Sequence, residues 1–209
     1  MKRLSLPKLY PITDARLSGL SQAEQVRRLA AGGAAFIQLR EKHAAPRDFL
    51  RDAAEAAEVA RAHGVTLIVN DRADIALACG ARGLHLGQDD LDPAAARRVV
   101  GDDFLIGYST HSVEQAAAAS RLPVDYVAIG PVFRTGTKEN PDPVVGLEGV
   151  ARVRAALPPS VPLVAIGGIT AGNAPSVLAA GANSVAVVSA LVAESDEIEQ
   201  RTREFLARL

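Results

Sequence analysis

Along this chain, short runs rich in Val, Ile and Leu return at intervals of roughly 20–30 residues, a length and composition that predict strands. They read "KLYPIT", "FIQLRE", "TLIVND", "GLHLGQ", "FLIGYST", "YVAIGPV", "PLVAIGG" and "SVAVVS". Between most of them lie Ala-, Glu- and Arg-rich segments with apolar positions at helical spacing: "SQAEQVRRLAAGG", "PRDFLRDAAEAAEVARAHG", "DPAAARRVVG", "SVEQAAAASRL" and "LEGVARVRAAL". Gly64, Gly101 and Gly181 stand where such helices should end in a left-handed cap. Strand and helix alternating eight times within 209 residues predict a compact (β/α)8 TIM barrel, one domain over residues 1–209. An open doubly wound sheet with extra strands is the alternative.

Composition narrows the picture without changing it. A hydrophobic content of 48% supports one substantial core, and a formal charge of -1 argues against nucleic acid as a partner. No apolar run reaches the roughly 18–20 residues of a membrane span, and "MKRLSLPKLYPIT" has no apolar stretch before Pro7 that would make a signal peptide. A cytoplasmic location is expected. The single cysteine, Cys79, excludes an intramolecular disulfide and reads as a small buried side chain. Surface helices of this composition suit a monomer or a homo-oligomer.

In a barrel of this kind the chemistry sits at the C-terminal ends of the strands, so each strand is informative where it finishes. The second closes with "QLREK", where alternation puts Gln38, Arg40 and Lys42 on one face and Leu39 and Glu41 on the other. If Leu39 packs against helices, the cations point into the barrel mouth. The third ends in Asn70-Asp71, the fourth in "HLGQDD" with Asp90, and the fifth in "GYSTH" with Ser109. The sixth runs into a polar loop, "FRTGTKENPDP", carrying Thr135, Gly136, Thr137 and Lys138. The seventh and eighth end in "IGGIT" and "VVSA" with no charge. There, Gly167 and Gly168 allow close backbone approach, and amides at the start of a following helix make an anion site, the usual place for a phosphate in these barrels. The same glycines could simply turn the chain, and Ser189 could cap the last helix.

Arg40, Lys42 and Lys138 share a mouth with Asp71 and Asp90. A rim of weak ion pairs is one reading. The other is a Mg²⁺ site, since that ion takes one or two carboxylates and completes its shell with water and substrate phosphate, which the cations would also contact. A metal with three cations suggests a diphosphate, separate from the monophosphate near strands seven and eight.

The segments "QLREK", "VNDR", "GLHLGQDDL", "GYSTHS", "GPVFRTGTK", "GLEG", "AIGGI" and "GANSVAVVSA" occur in this order and spacing. Together they resemble the thiamine phosphate synthase family over nearly the whole chain. That family joins 4-amino-2-methyl-5-(diphosphooxymethyl)pyrimidine to 4-methyl-5-(2-phosphooxyethyl)thiazole on a (β/α)8 barrel with Mg²⁺, releasing diphosphate. The resemblance implies that the stretch Gln38, Leu39, Arg40, Glu41 and Lys42, together with Asn70, binds the pyrimidine diphosphate, with Ser109 and Lys138 beside its phosphates. It assigns Asp71 and Asp90 to the metal. Thr135, Gly136 and Thr137, Gly167, Val188 and Ser189 fall to the thiazole phosphate, and Arg40, Lys42, Ser109 and Lys138 become the catalytic candidates. The stretch "ENPDPVV" is longer than the family pattern, which touches the loop's conformation and not its chemistry.

His85, between Leu84 and Leu86, points inward and reads as a satisfied core histidine. His43 and His63 flank helices and read as solvated. His111 is less defined. It keeps open the thiazole tautomerase family of the same fold, in which a histidine of this region moves a proton; that family lacks the Asp pair and the full "QLREK" set. Two further readings are a catalytically silent barrel that binds thiamine precursors, and a Schiff-base aldolase using Lys42 or Lys138.

Overall fold

The computed structural model describes residues 4–136 and 142–209. Every predicted strand is present: β1 Leu9–Pro11, β2 Phe36–Leu39, β3 Thr66–Asn70, β4 Gly83–Leu86, β5 Leu105–Thr110, β6 Tyr126–Ile129, β7 Leu163–Ile166 and β8 Ser184–Val187. All are parallel in the order β1-β8-β7-β6-β5-β4-β3-β2. The helices that lead from strand to strand are α1 Ala15–Ser18, α2 Gln22–Ala31, α3 Pro46–Ala62, α4 Ala73–Ala78, α5 Pro93–Val100, α6 Val113–Ala119, α7 Gly146–Ala156 and α8 Ala174–Ala179. After β8 come α9 Ser189–Val192 and α10 Ile198–Leu206. Local chemistry fixes their starts: Asp14, Ser21, Asp92 and Ser112 accept from amides of the first turn, and Pro46 and Pro93 occupy the first helical turn. Gly64, Gly101 and Gly181 have positive φ, as their positions after helices require.

Alternation along each strand divides the core in two. Outward residues such as Ile37, Leu39, Leu67, Val69, Leu84, Ile106 and Val127 join the helix faces in one large apolar layer. Inward residues form a separate cluster of Tyr10, Ile12, Phe36, Ile68, Tyr126, Ala128, Val164 and Ala186. The rings of Tyr10, Phe36 and Tyr126 meet edge to face, with centroids 4.7–6.3 Å apart. Cys79 is buried, as its composition predicts.

The barrel closes between β1 and β2 through one bridge, Ile12 to Gln38. Side chains extend the seam where the ladder stops. The Thr13 amide donates to the Gln38 carbonyl (2.9 Å), and the Arg40 amide donates to the Thr13 hydroxyl (3.2 Å). That hydroxyl also bonds the Gln22 amide oxygen, while Gln22 Nε2 reaches the Arg40 carbonyl (3.2 Å). Thr13 and Gln22 are fully buried, so these bonds are shielded from water.

Register sets one more feature of the interior. His85, Gly107 and Tyr126 are neighbours on successive strands β4, β5 and β6. The missing side chain at Gly107 is filled by the Tyr126 ring, which stacks on His85 at 5.6 Å and 26°; a Cβ at Gly107 would lie 2.1 Å from Tyr126 Cζ. Gly107→Ala is therefore expected to destabilise the protein by about 1–3 kcal/mol, the usual penalty of overpacking. Urea denaturation measures this, and an unchanged midpoint would show that the ring can be displaced freely.

Candidate active site

A cavity of about 940 Å³ opens at the C-terminal ends of the strands. Its two sides differ in chemistry. The side built by β2 to β5 carries Gln38, Arg40, Lys42, Asn70, Asp71, Asp90 and Ser109, whereas the side built by β7 and β8 presents Gly167, Gly168, Val188 and Ser189.

Arg40 is held at three points. Its amide and carbonyl are fixed by Thr13 and Gln22, and its guanidinium pairs with Asp14 at 3.0 Å. Asp14 in turn caps α1 by accepting from the Leu17 amide (3.0 Å), and its own amide donates to Gln25 (2.9 Å). The cation is thus oriented before any ligand arrives. Lys42 forms an ion pair with Asp71 at the end of the adjacent strand β3.

Asp71 ends β3 in an unusual way. Its amide still donates to the His85 carbonyl of β4 (2.8 Å), yet its φ is +62°, in the left-handed region that Asp tolerates better than most side chains. This kink turns the carboxyl into the cavity wall. Burial first, and then a side-chain hydrogen bond with Asp90, push the Asp71 pKa up to about 6 against the lowering effect of Lys42. Asp90 is itself anchored by the Gly87 amide, which donates to its Oδ2 (2.7 Å). Two neighbouring carboxyl groups are a donor set that fits Mg²⁺, an ion that takes one or two carboxylates and completes its shell with other oxygens. Among the described residues no cluster of three or more His, Cys, Asp or Glu side chains could hold a metal, so such an ion would rely on water and substrate oxygens for the rest of its shell.

Behind Ser109 lies a chain of buried polar groups that sequence reasoning did not find. Ser109 Oγ is 2.8 Å from His85 Nε2, and His85 Nδ1 is 3.1 Å from the Tyr126 hydroxyl. That hydroxyl is 2.9 Å from the Tyr10 hydroxyl, which accepts from Gln38 Nε2 at 2.8 Å. Both ring nitrogens of His85 are engaged, and burial lowers its pKa to about 4, so the ring is neutral at physiological pH. His85 is the satisfied core histidine its sequence context suggests. Burial also raises the pKa of Tyr10 and Tyr126, so both phenols keep their protons. The one available sequence signal was polar: His85 and Tyr126 stand at inward positions of predicted strands.

On the other side of the cavity, the polar loop after β6 is tied to β7. Val132 and Phe133 donate to the carbonyls of Ile166 (2.9 Å) and Gly167 (3.0 Å), and Val145 and Gly146 return to the carbonyls of Pro131 (2.9 Å) and Val132 (3.1 Å). Thr135 and Gly136 line the cavity; Thr137 and Lys138 lie outside the described residues. Gly167 and Gly168 have φ of +105° and +63°. A Cβ at Gly167 would lie 2.6 Å from Pro131 Cα, and one at Gly168 2.6 Å from the Arg134 carbonyl. The loop after β6 by itself therefore leaves no room for a side chain at either position. The helices beyond are short as well. Ser189 opens the four-residue α9, whose start has no side-chain cap, so it does not cap the last helix. With so little helix dipole, the backbone amides of these turns would carry any phosphate contact. His111 also lines the cavity and donates from Nδ1 to the Gly130 carbonyl (2.7 Å), with Asp142 Oδ2 3.4 Å away. His43 and His63 are exposed, as expected.

A sequence model described as thiamine monophosphate synthase matches residues 9–191. The chain belongs to this family. A thiamine-phosphate synthase of Koribacter versatilis (strain Ellin345) is 47% identical over 208 residues, covering 97% of this chain and 96% of the relative. One of Albidiferax ferrireducens (strain ATCC BAA-621 / DSM 15236 / T118) is 47% identical over 195 residues, covering 93% of this chain and 88% of the relative. Among solved structures, a thiamine phosphate pyrophosphorylase from Pyrococcus furiosus superposes with a TM-score of 0.86 at 35% identity, covering 96% of this chain and 94% of that one.

For a member of the thiamine monophosphate synthase family, the described residues bring together Gln38, Arg40, Lys42, Asn70, Asp71, Asp90 and Ser109 at one wall, and Thr135, Gly136, Gly167, Val188 and Ser189 at the other. The Leu39 and Glu41 side chains stand apart from this group. Alternation sends the Leu39 side chain into the helix-facing apolar layer, fully buried. The Glu41 carboxylate turns outward and accepts from the amides of His43 (2.7 Å) and Ala44 (3.0 Å). Neither side chain lines the cavity. Asp90→Asn is expected to bring the Asp71 pKa down from about 6, because it removes the competing carboxyl, leaving burial and Lys42 to oppose each other. A carboxyl carbon-13 NMR titration of the metal-free variant checks this; a pKa that stays at about 6 would assign the whole shift to burial.

Proposed function

We infer that this chain is a thiamine phosphate synthase. The reading rests on one observation above all: a single cavity has cations and paired carboxyls on one wall and charge-free turns on the other. The first wall suits the pyrimidine diphosphate and the second the thiazole phosphate. Family membership supports the same assignment.

The chemistry follows from the charges. Cleavage of the pyrimidine CH₂–O bond leaves a cation stabilised by the aminopyrimidine, and a diphosphate on which negative charge builds. Arg40, prepositioned by Asp14, and Lys42 stand where they would meet that charge, and Ser109 adds a hydroxyl donor. Lys138 has the same role in this reading. Asp71 and Asp90 would hold a Mg²⁺, which when bound supplies further neutralisation of the diphosphate. The thiazole nitrogen, tethered through its monophosphate at the Gly167 and Ser189 turns, attacks the cation in place, so positioning contributes much of the acceleration. No protein nucleophile takes part.

Incubation with both precursors and Mg²⁺ should yield thiamine phosphate and diphosphate, and chelation of the metal should abolish turnover. Folded protein that forms no thiamine phosphate would overturn the reading. Lys138→Met should lower kcat about 10²–10³-fold, the scale of losing one preorganised donor to a developing charge, while changing KM less. Steady-state kinetics decide it: a raised KM with normal kcat would make Lys138 a binding residue only.

A further inference from the structure

The polar chain through the barrel centre has a direction. Gln38 Nε2 can only donate, so the Tyr10 oxygen is an acceptor there (2.8 Å). A phenol has one hydrogen, and the other partner of the Tyr10 hydroxyl in this chain is the Tyr126 oxygen at 2.9 Å. If Tyr10 donates to Tyr126, then Tyr126 must send its own hydrogen to His85 Nδ1, 3.1 Å away. A neutral imidazole that accepts at Nδ1 carries its hydrogen on Nε2. That hydrogen points at Ser109 Oγ, 2.8 Å away. With a lone pair of Oγ so engaged, the Ser109 hydroxyl turns its hydrogen away from the protein and toward the cavity that it lines.

We propose that Gln38, Tyr10, Tyr126 and His85 form a one-way hydrogen-bond relay that fixes His85 as the Nε2–H tautomer and obliges Ser109 to present a donor to the departing diphosphate. The part concerning diphosphate rests on the functional reading above; the direction of the relay does not. His85 and Tyr126 are positioning residues that act through Ser109. Reversed, the same chain would have Ser109 donate to His85 and turn a lone pair toward the cavity, which an anion would repel. The orientation of one amide, Gln38, selects between the two. The surroundings reinforce that selection, because His85, Tyr10 and Tyr126 are buried, where hydrogen bonds are stronger than in water. Tyr126 does not line the cavity, so its hydroxyl can be removed without touching a ligand.

Two measurements test this. In ligand-free protein with nitrogen-15 histidine, long-range correlation NMR should show His85 neutral with hydrogen on Nε2; a signal from the Nδ1–H tautomer would overturn the proposal. In Tyr126→Phe the ring remains in its stack but the tautomer is released, and both forms should be seen. That variant should lose about tenfold to hundredfold in kcat, the range usual for partners that orient a functional group, with little change in the KM for thiazole phosphate. Combined with Ser109→Ala it should cost nothing beyond Ser109→Ala alone, since the two act in series. Multiplying losses in the double variant, or an unaltered kcat in Tyr126→Phe, would refute the relay's role. Should the unmodified protein make no thiamine phosphate, the functional reading falls, and the NMR result still decides the direction of the chain.

Discussion

A parallel barrel has no free edge only if its first strand bonds both its last and its second, and here the second of those unions rests on one bridge, Ile12 to Gln38. The side chains of Thr13 and Gln22 complete the seam after the strands have ended. That is why the seam matters beyond closure. The same bonds fix both backbone groups of Arg40, and Gln38, the residue at the bridge, begins the hydrogen-bond chain that ends at Ser109. Closure and the arrangement of the cationic wall are one event.

The cavity divides its labour between side chains and backbone for a physical reason. On the β2 to β5 wall, both cations are paired before any ligand is present, Arg40 with Asp14 and Lys42 with Asp71, so each is compensated in a partly buried place. Asp71 shows the tension most clearly. It sits in a left-handed backbone conformation, beside a second carboxyl, with its proton held unusually tightly. A left-handed backbone and a neighbouring carboxyl thus meet at one residue of this wall. The β7 and β8 wall avoids such conflicts by using turns, which carry no charge to be neutralised.

Much of this was legible in the sequence. The eight apolar runs became the eight strands, and alternation through "QLREK" separated the inward Gln38, Arg40 and Lys42 from the outward Leu39 and Glu41, even though the family pattern spans all five. What was not legible was whatever depends on register between strands far apart in the chain. Asp14 as the partner of Arg40, and Tyr10 and Tyr126 as partners of Gln38 and His85, are separated by tens of residues, and tyrosines at inward positions read as ordinary core. The glycines were ambiguous for a different reason. A glycine in a sequence says that space is needed, not what occupies it, and at Gly167 and Gly168 the occupant is the loop after β6 rather than a ligand alone.

The polar chain through the barrel has an evolutionary corollary. Its members come from β1, β2, β4, β5 and β6, and Gly107 must stay small to admit the Tyr126 ring. Exchange of one member leaves a neighbour buried with an unmet donor or acceptor, so single substitutions meet a barrier that paired ones avoid. The inner residues of this barrel are therefore expected to change as a set rather than one at a time.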